Sequence, residues 1–248
     1  MKVINASYEI LKPNMESRIA RNGIYQDIET AGRTCYKSEA NITPESAAKF
    51  VKRVVENGHE AMLEHASMTV RFIVDRGVSH ELVRHRVASF AQESTRYCNY
   101  SQDKFGNEIT VIAPVFYNEV PKVLKFEIGQ AVAKGTVDFN LLADISGNDL
   151  AFRYYVWLSS CLNSEKAYFD ILKKGATPQE ARAVLPNSLK TEVIMTANMR
   201  EWRHFFKLRA AGETGKPHPQ MLEVAVPLLK ECQESFPELF GDIKIKED

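Results

Sequence analysis

Met68-Thr69-Val70-Arg71-Phe72-Ile73-Val74 alternates apolar and polar side chains, with Ile73 as the one exception. Side chains on a strand point alternately to opposite faces. This period of two therefore predicts a β-strand that buries Met68, Val70, Phe72 and Val74. Ser79 lies just beyond, where its hydroxyl is placed to cap a helix over about 80–88. A half-buried strand that feeds a helix puts the chain in a mixed α and β class.

Upstream, residues 2–12 are partly β-branched and stopped by Pro13, which predicts a single opening strand. Residues 26–34 read as a short helix. Thr43-Pro44-Glu45 supplies an N-cap, a proline at the first helical position and an acid in the first turn, and Gly58 stands at a stop, so a helix is expected over 44–57. Downstream, Glu108–Ala113 is a strand ended by Pro114. From about 120 to 175 the pattern is mostly helical, broken near Gly147-Asn148, where Asn148 or Asp149 starts a long helix that ends at Gly175. Thr177-Pro178-Gln179-Glu180 has the form of a capping box, so a short helix carrying Arg182 should follow and stop near Pro186. Thr191–Thr196 reads as extended, Arg200–Arg209 as helical and Pro219–Phe236 as a final amphipathic helix. No internal repeat or low-complexity linker divides the chain. The expectation is one α+β domain over residues 1–248, with a mixed or antiparallel sheet packed by helices and long helices in the C-terminal half.

The chain has 248 residues, 44% of them hydrophobic, enough for a substantial core. Lys plus Arg and Asp plus Glu both total 32, so no net field draws in nucleic acid or an acidic membrane surface, and any anion site must be local. Met1-Lys2-Val3-Ile4-Asn5 opens no long apolar segment and no apolar run is long enough to cross a bilayer, so a cytoplasmic protein without a membrane partner is expected. Cys35, Cys98, Cys161 and Cys232 stand too far apart for a zinc knuckle or a redox dithiol, and read as unpaired buried thiols in a reducing compartment.

The densest chemistry lies in residues 84–96, Arg84-His85-Arg86-Val87-Ala88-Ser89-Phe90-Ala91-Gln92-Glu93-Ser94-Thr95-Arg96. Such a charge run usually marks a solvated face. Apolar flanks at Leu82, Val83, Val87, Ala88 and Phe90, followed directly by Gln92, Glu93 and Ser94, favour a local anion site instead, in which arginine forks grip phosphate. In this reading Arg84, His85 and Arg86 occupy the last turns of the 80–88 helix, with Ser94 and Arg96 in the loop beyond. His80-Glu81 begins like a zinc-protease motif, but the residue at i+4 is Arg84 and His85 lies one place too far, so no metal is expected. Ser94 lacks the surroundings of a nucleophile elbow and reads as a phosphate ligand.

Three further groups stand out. His59, Glu60, Glu64 and His65 follow the 44–57 helix. His65 reads as structural, and His59 is open to a ligand role. Among Asn198, Arg200, Arg203, His204 and Arg209, the wet face of a helix that buries Trp202, Phe205, Phe206 and Leu208 accounts for Arg203 and Lys207. Asn198 and Arg209 lie at the helix ends, where ligands are usually met. Arg182, flanked by Ala181, Ala183, Val184 and Leu185, is either buried with a carboxylate or aimed at an anion.

Arg84-His85-Arg86, seven residues and then Ser94 resembles the signature of the flavin-dependent thymidylate synthases. Gly58-His59-Glu60 with Glu64-His65 is similar to that family's upstream histidine segment, and Ala181-Arg182-Ala183-Val184-Leu185-Pro186 to its second arginine motif. Asn198-Met199-Arg200, His204-Phe205 and Leu208-Arg209 resemble its C-terminal block. The blocks keep the family's order across most of residues 30–220.

The resemblance implies an enzyme that methylates dUMP at C5 with the one-carbon unit of methylenetetrahydrofolate and a hydride from FAD reduced by NADPH. It implies a homotetramer with sites shared between subunits. No Gly-rich dinucleotide fingerprint follows a strand, so FAD would not sit in a Rossmann crevice. By position, His59, Arg84, His85, Arg86, Gln92, Asn198, Arg200 and His204 would contact FAD. Glu81, Arg84, Gln92, Glu93, Ser94, Arg96 and Arg182 would hold dUMP, and Arg209 would face its uracil as the catalytic cation. The chain departs from the family pattern at Glu81, where an amide is common, at Ala61, where a hydroxyl is common, and in an apparent insertion at Gly212–Pro219. Ala91-Gln92-Glu93 stands in place of Asn-Glu, which leaves Gln92 and Glu93 as alternatives for the carboxylate. The same arginines also fit a non-catalytic nucleotide- or phosphate-binding regulator.

Overall fold

Strands Lys2–Ile4 (β1), Ser7–Lys12 (β2), Ser67–Asp75 (β3), Ala88–Gln92 (β4), Thr110–Ile112 (β5) and Lys190–Asn198 (β6) form two sheets in the computed structural model, which describes residues 1–136 and 147–245. Four of them lie in the order β2-β3-β6-β4, with β2 antiparallel to β3 and β4 antiparallel to β6; β1 and β5 make a parallel pair. The helices are Arg18–Tyr36 (α1), Ser46–Glu56 (α2), Arg76–Leu82 (α3), Lys122–Lys134 (α4), Asp149–Lys173 (α5), Pro178–Ala181 (α6), Met199–Arg209 (α7), Pro219–Ser235 (α8) and Pro237–Phe240 (α9). This is the α+β class expected. No described helix is long and apolar enough to cross a membrane. The described residues gather into two units. One comprises Met1–Asn5, Asp75–Gly77 and Glu93–Thr191; the other comprises Ala6–Val74, Val78–Gln92 and the chain from Glu192 onward.

The second unit is built on the alternation in β3. Met68, Val70, Phe72 and Val74 are almost wholly buried, while Thr69, Arg71 and Ile73 take the other face, where Thr69 and Thr196 share a hydrogen bond of 2.9 Å between β3 and β6. Against the buried face stands α7, with Trp202, Phe205 and Phe206 fully buried and the Trp202 indole N–H donating to the Met68 carbonyl at 3.0 Å. Each such aromatic contributes roughly 1.5–3 kcal/mol by leaving water, so three on one short helix hold it firmly. Helices α1 and α2 pack at Gly32, where a Cβ would come within 2.4 Å of the Phe50 ring; no larger residue fits there while the ring keeps its place.

The first unit has two smaller clusters. Tyr100, Ile109, Val111, Cys161, Tyr168, Ala181 and Leu189 form one, and Val120, Ile128, Ala151, Tyr154 and Leu158 the other, with α5 contributing to both. Asn148 caps α5 by accepting from the Leu150 and Ala151 N–H groups, at 3.1 and 3.0 Å. The capping box at Thr177 and Glu180 is present. The part of the expected 120–175 helical region that spans 137–146 lies outside the described residues.

Several expectations are corrected. The opening strand is two strands, because β1 takes its partners from β5 and β2 from β3, so the chain leaves one sheet for the other between them. The helix expected over 26–34 runs from Arg18 to Tyr36. Ser17 caps it by accepting the Ala20 N–H at 3.2 Å, and packing outweighs the cost of Gly23 in its interior. Helix α2 begins at Ser46, not Pro44, because the Ser46 hydroxyl binds the Thr43 N–H and carbonyl and holds them in a turn ahead of the helix. Ser79 does not cap a helix over 80–88. Helix α3 starts as soon as β3 ends and stops at Leu82, and Ser79 is buried inside it, accepting from the Gln92 amide at 2.9 Å. Arg84, His85 and Arg86 consequently follow the helix in a turn. The strand β4 was not foreseen, since Ala88, Ser89, Ala91 and Gln92 have little β-propensity; its register against β6 makes it a strand. Cys35 is exposed and Cys98 partly so, while Cys161 and Cys232 are buried, all of them free thiols.

Arg203 is likewise not on a wet face. It is 2% exposed, and its guanidinium donates to both carboxylate oxygens of Asp242 at 2.7 Å, to Glu60 at 3.2 Å and to the Leu239 carbonyl. Burial opposes its charge, but the Asp242 and Glu60 carboxylates outweigh that and hold the guanidinium ionised. We expect Arg203→Ala to cost about 3 kcal/mol, since it strands the buried Leu239 carbonyl, takes the cation from Glu60 and Asp242 and empties a packed position. Asp242→Ala should cost less, about 1–2 kcal/mol, because Glu60 and the Leu239 carbonyl still compensate the guanidinium and water can reach the half-exposed position that Asp242 leaves. Urea unfolding measures both, and equal losses would contradict this account.

Candidate functional site

The turn after α3 and the length of α7 bring four charged or polar side chains into one line. His85 is 4% exposed and its Nδ1 lies 2.9 Å from Glu201 Oε1. The Arg209 Nε–H donates to His85 Nε2 at 3.3 Å, Nη1 donates to Glu81 Oε2 at 2.6 Å, and Nη2 donates to the Glu81 carbonyl at 3.3 Å. A guanidinium has only donors, so His85 Nε2 must accept; the ring proton then sits on Nδ1 and is given to Glu201. His85 is therefore neutral. Burial is the main cause holding its pKa below the ordinary 6.5; the Glu201 carboxylate pulls it upward, and Arg209 and His204 push it down. Glu201 is fixed from the other side, its backbone N–H donating to Asn198 Oδ1 at 2.8 Å in the N-cap of α7. Glu81 has Arg209 as its cationic partner.

Asn198, Arg200 and His204 line a single cavity of about 380 Å³, together with Glu60, Glu64, Val87, Glu201, Arg203 and Lys207. Arg200 donates to Glu64 at 2.6 Å and stands half exposed. Glu201 and His204 with His85 also offer three metal-ligand atoms within 4.8 Å of one another. The Arg209 guanidinium on His85 Nε2 and the bond from Nδ1 to Glu201 leave that imidazole no lone pair for a cation.

His59 is exposed and lines a different cavity, of about 240 Å³, with Arg33, Tyr36, Phe50, Arg53 and Asn57. Arg84 and Arg86 are exposed, and among the described residues neither makes an ion pair. Gln92 is tied to Ser79.

The remaining expected residues belong to the other unit. Glu93 accepts from the Tyr100 hydroxyl at 3.2 Å and from Lys190 at 2.9 Å. The burial of Tyr100 raises its pKa far above 10, and the Glu93 charge adds to that. Ser94 begins the turn that Arg96 closes, its hydroxyl accepting the Arg96 N–H at 3.3 Å. Arg96 donates to Gln179 at 2.9 Å and Arg182 donates to Thr95 at 3.4 Å. Both arginines are exposed, and among the described residues neither pairs with a carboxylate. Of the two readings of Arg182, burial with a carboxylate is thus set aside. Ser94, Thr95, Arg96, Gln179 and Arg182 make a polar patch in which, among the described residues, no carboxylate compensates the two cations.

Sequence reasoning missed Glu201, Thr95 and Gln179. Glu201 had a legible signal: Asn198 with an acid three residues on is the spacing of a capping motif. Thr95 and Gln179 had none, because what marks them is a long-range partner.

The family model for thymidylate synthase complementing protein, Thy1, matches residues 19–238. The flavin-dependent thymidylate synthases of Corynebacterium glutamicum and Corynebacterium aurimucosum are 32% identical over 222 residues and 34% identical over 221. Each alignment covers 88% of this chain and 79% of the relative. The flavin-dependent thymidylate synthase of Mycobacterium avium is 29% identical over 221 residues. In three dimensions the chain is similar to the UMP/dUMP methylase PolB from Streptomyces cacaoi bound with 5-Br dUMP, with a TM-score of 0.65 over 97% of this chain and 96% of that one. At 19% identity this likeness is one of fold.

The state of His85 has a stability consequence. Its folded pKa lies below 6.5, so as pH falls through 6.5 the unfolded chain takes up a proton that the folded chain refuses, and stability is lost. Relative to His85→Gln, the wild type should therefore lose thermal stability between pH 7.5 and pH 5. Imidazole ¹⁵N spectra should show the proton on Nδ1; a proton on Nε2 instead would contradict the Arg209 contact.

Proposed function

The chain belongs to the thymidylate synthase complementing protein family, and from that premise we propose that it is a flavin-dependent thymidylate synthase: it converts dUMP to dTMP with methylenetetrahydrofolate as one-carbon donor and FAD, reduced by NADPH, as hydride source. The observation that carries this reading is the Arg209 guanidinium, held in one orientation by neutral His85 on one edge and by Glu81 on the other.

Transfer of a carbon to C5 of a uracil ring puts negative charge on its N3/O2 region, and a guanidinium fixed beside that edge stabilises it. Each Nη of Arg209 gives one N–H to Glu81 and keeps a second, so the guanidinium can meet an electron-rich ring while Glu81 holds it in place. His85 contributes through its tautomer: with Nδ1–H committed to Glu201, Nε2 stays a lone pair that directs the Arg209 Nε–H. Activation by a guanidinium dispenses with a cysteine nucleophile. Three of the four thiols suit that, because burial pushes Cys98 and Cys232 up from their ordinary range and Cys161 to about 11, which suppresses thiolate formation.

The donor set around the 380 Å³ cavity fits part of a flavin dinucleotide. Small-molecule sites run to about 300–1,000 Å³, so this one is sized for a portion of FAD rather than all of it. In the proposal Asn198, Arg200 and His204 line the flavin, the exposed Arg84 and Arg86 meet its phosphates, and His59 and Gln92 complete the contacts. When bound, reduced FAD supplies the hydride. Ser94, Arg96 and Arg182 are assigned to the dUMP phosphate and sugar, with Glu93 setting the turn through Tyr100 and Lys190. The reading includes a cytoplasmic homotetramer in which several chains contribute to each site, acting without nucleic acid or membrane.

The purified protein should be yellow, and its flavin absorption should shift when dUMP is added. Flavin bands that stay absent after FAD addition would overturn the proposal, and dUMP binding without dTMP formation would make the protein a regulator. Arg209→Lys keeps the charge but loses the planar fork, so turnover should fall about a hundredfold or more while dUMP still binds. Arg182→Ala and Ser94→Ala should mainly raise the KM for dUMP.

A further inference from the structure

Away from Arg209, the C-terminal ends of α1 and α2 enclose the 240 Å³ cavity that His59 borders. Two guanidiniums lie over one phenyl ring there: the Cζ atoms of Arg33 and Arg53 are 4.9 and 5.5 Å from the Phe50 centroid. They are not equivalent. Arg33 gives Nε and Nη2 to Glu29, at 3.1 and 2.9 Å, and Glu29 is itself buried and bound by Ser46 at 2.7 Å. Its charge is compensated and its position set. Arg53 is exposed and, among the described residues, pairs with no carboxylate. At the rim Tyr36 is 66% exposed, a large aromatic face left to solvent. Asn57 and His59 supply polar groups on either side of Gly58, whose φ of 69° turns the chain there.

An uncompensated guanidinium, a second one held rigid beside it and a bare aromatic ring together select a ligand that is both aromatic and anionic. The size of the space narrows this further. Pockets that take a whole drug-sized molecule run to about 300–1,000 Å³, so 240 Å³ suits one end of a longer molecule. We propose that this cavity binds the aromatic, anion-bearing end of a cosubstrate, its carboxylate or phosphate on Arg53 and its ring on Tyr36. This rests on the reading above, which brings two such molecules: a reduced folate, ending in benzoylglutamate, and a nicotinamide dinucleotide, ending in a phosphorylated adenosine.

The test is calorimetric titration of the full chain, with FAD added, using N-(4-aminobenzoyl)-L-glutamate and, separately, adenosine 2′,5′-bisphosphate. One of them should bind. Arg53→Ala should weaken it at least about tenfold, as expected for loss of a charge-assisted hydrogen bond, and Tyr36→Ala should weaken it as well. Affinity for dUMP should stay unchanged in both variants. Binding of the first probe assigns the cavity to the folate, and binding of the second assigns it to the dinucleotide. No binding of either, or binding indifferent to Arg53→Ala, overturns the proposal. A parallel dTMP assay separates the two readings. Arg53-dependent binding in a protein that forms no dTMP sinks the enzyme and keeps the cavity, whereas dTMP formation with no probe binding does the reverse.

Discussion

Asn198 Oδ1 accepts the Glu201 N–H at 2.8 Å, and the placement of α7 follows from that bond. It turns β6 into a helix at a fixed residue, so every later position on α7 has a set direction. Trp202, Phe205 and Phe206 then point into the core against β3, and Arg200 and His204 point outward into the cavity. Arg209 arrives at the last turn beside His85. Had the helix started one residue later, a rotation of about 100° would send the charged face into Met68 and Phe72.

Because α7 is held from inside, its charged residues divide by how they are paired. Arg203, on the buried side, is saturated by Asp242, Glu60 and a carbonyl, and its role is structural. Arg209, at the end, meets a neutral imidazole and a partly exposed carboxylate, an arrangement that orients it without closing it off. Arg96 and Arg182 donate to neutral oxygens, Arg96 also lies over the Tyr97 ring, and among the described residues neither meets a carboxylate. The series runs from fully compensated to uncompensated charge, and it orders the arginines by their availability to an anion. Residue type alone gives no such order.

Much of this could be read from the chain. The alternation at 68–74, the cap at Thr177 and the helix carrying Trp202, Phe205 and Phe206 all hold, because each is governed by local period or local hydrogen bonding. Two helix starts were misplaced by local turns, at Ser17 and at Thr43-Ser46, and the other readings that failed involve partners further along the chain. Ser79 has the chemistry of a cap but is buried against Gln92, β4 exists only because β6 pairs with it, and Arg203 is drawn inward by Asp242 far down the chain. The same holds at the candidate site. Arginines and histidines there were legible as types in blocks, whereas Glu201 as the residue that fixes the His85 tautomer needed the fold.

Gly32 and Phe50 constrain each other in a way that reaches past stability. A side chain at position 32 would have to occupy the space of the Phe50 ring, 2.4 Å from its own Cβ, so position 32 can gain one only if position 50 gives way. A larger residue at 32 requires a smaller one at 50, and that exchange removes the ring over which Arg33 and Arg53 lie. The absence of a side chain at one position thus keeps two cations in place at another, since the ring that fills the space left by Gly32 is the surface on which both guanidiniums rest.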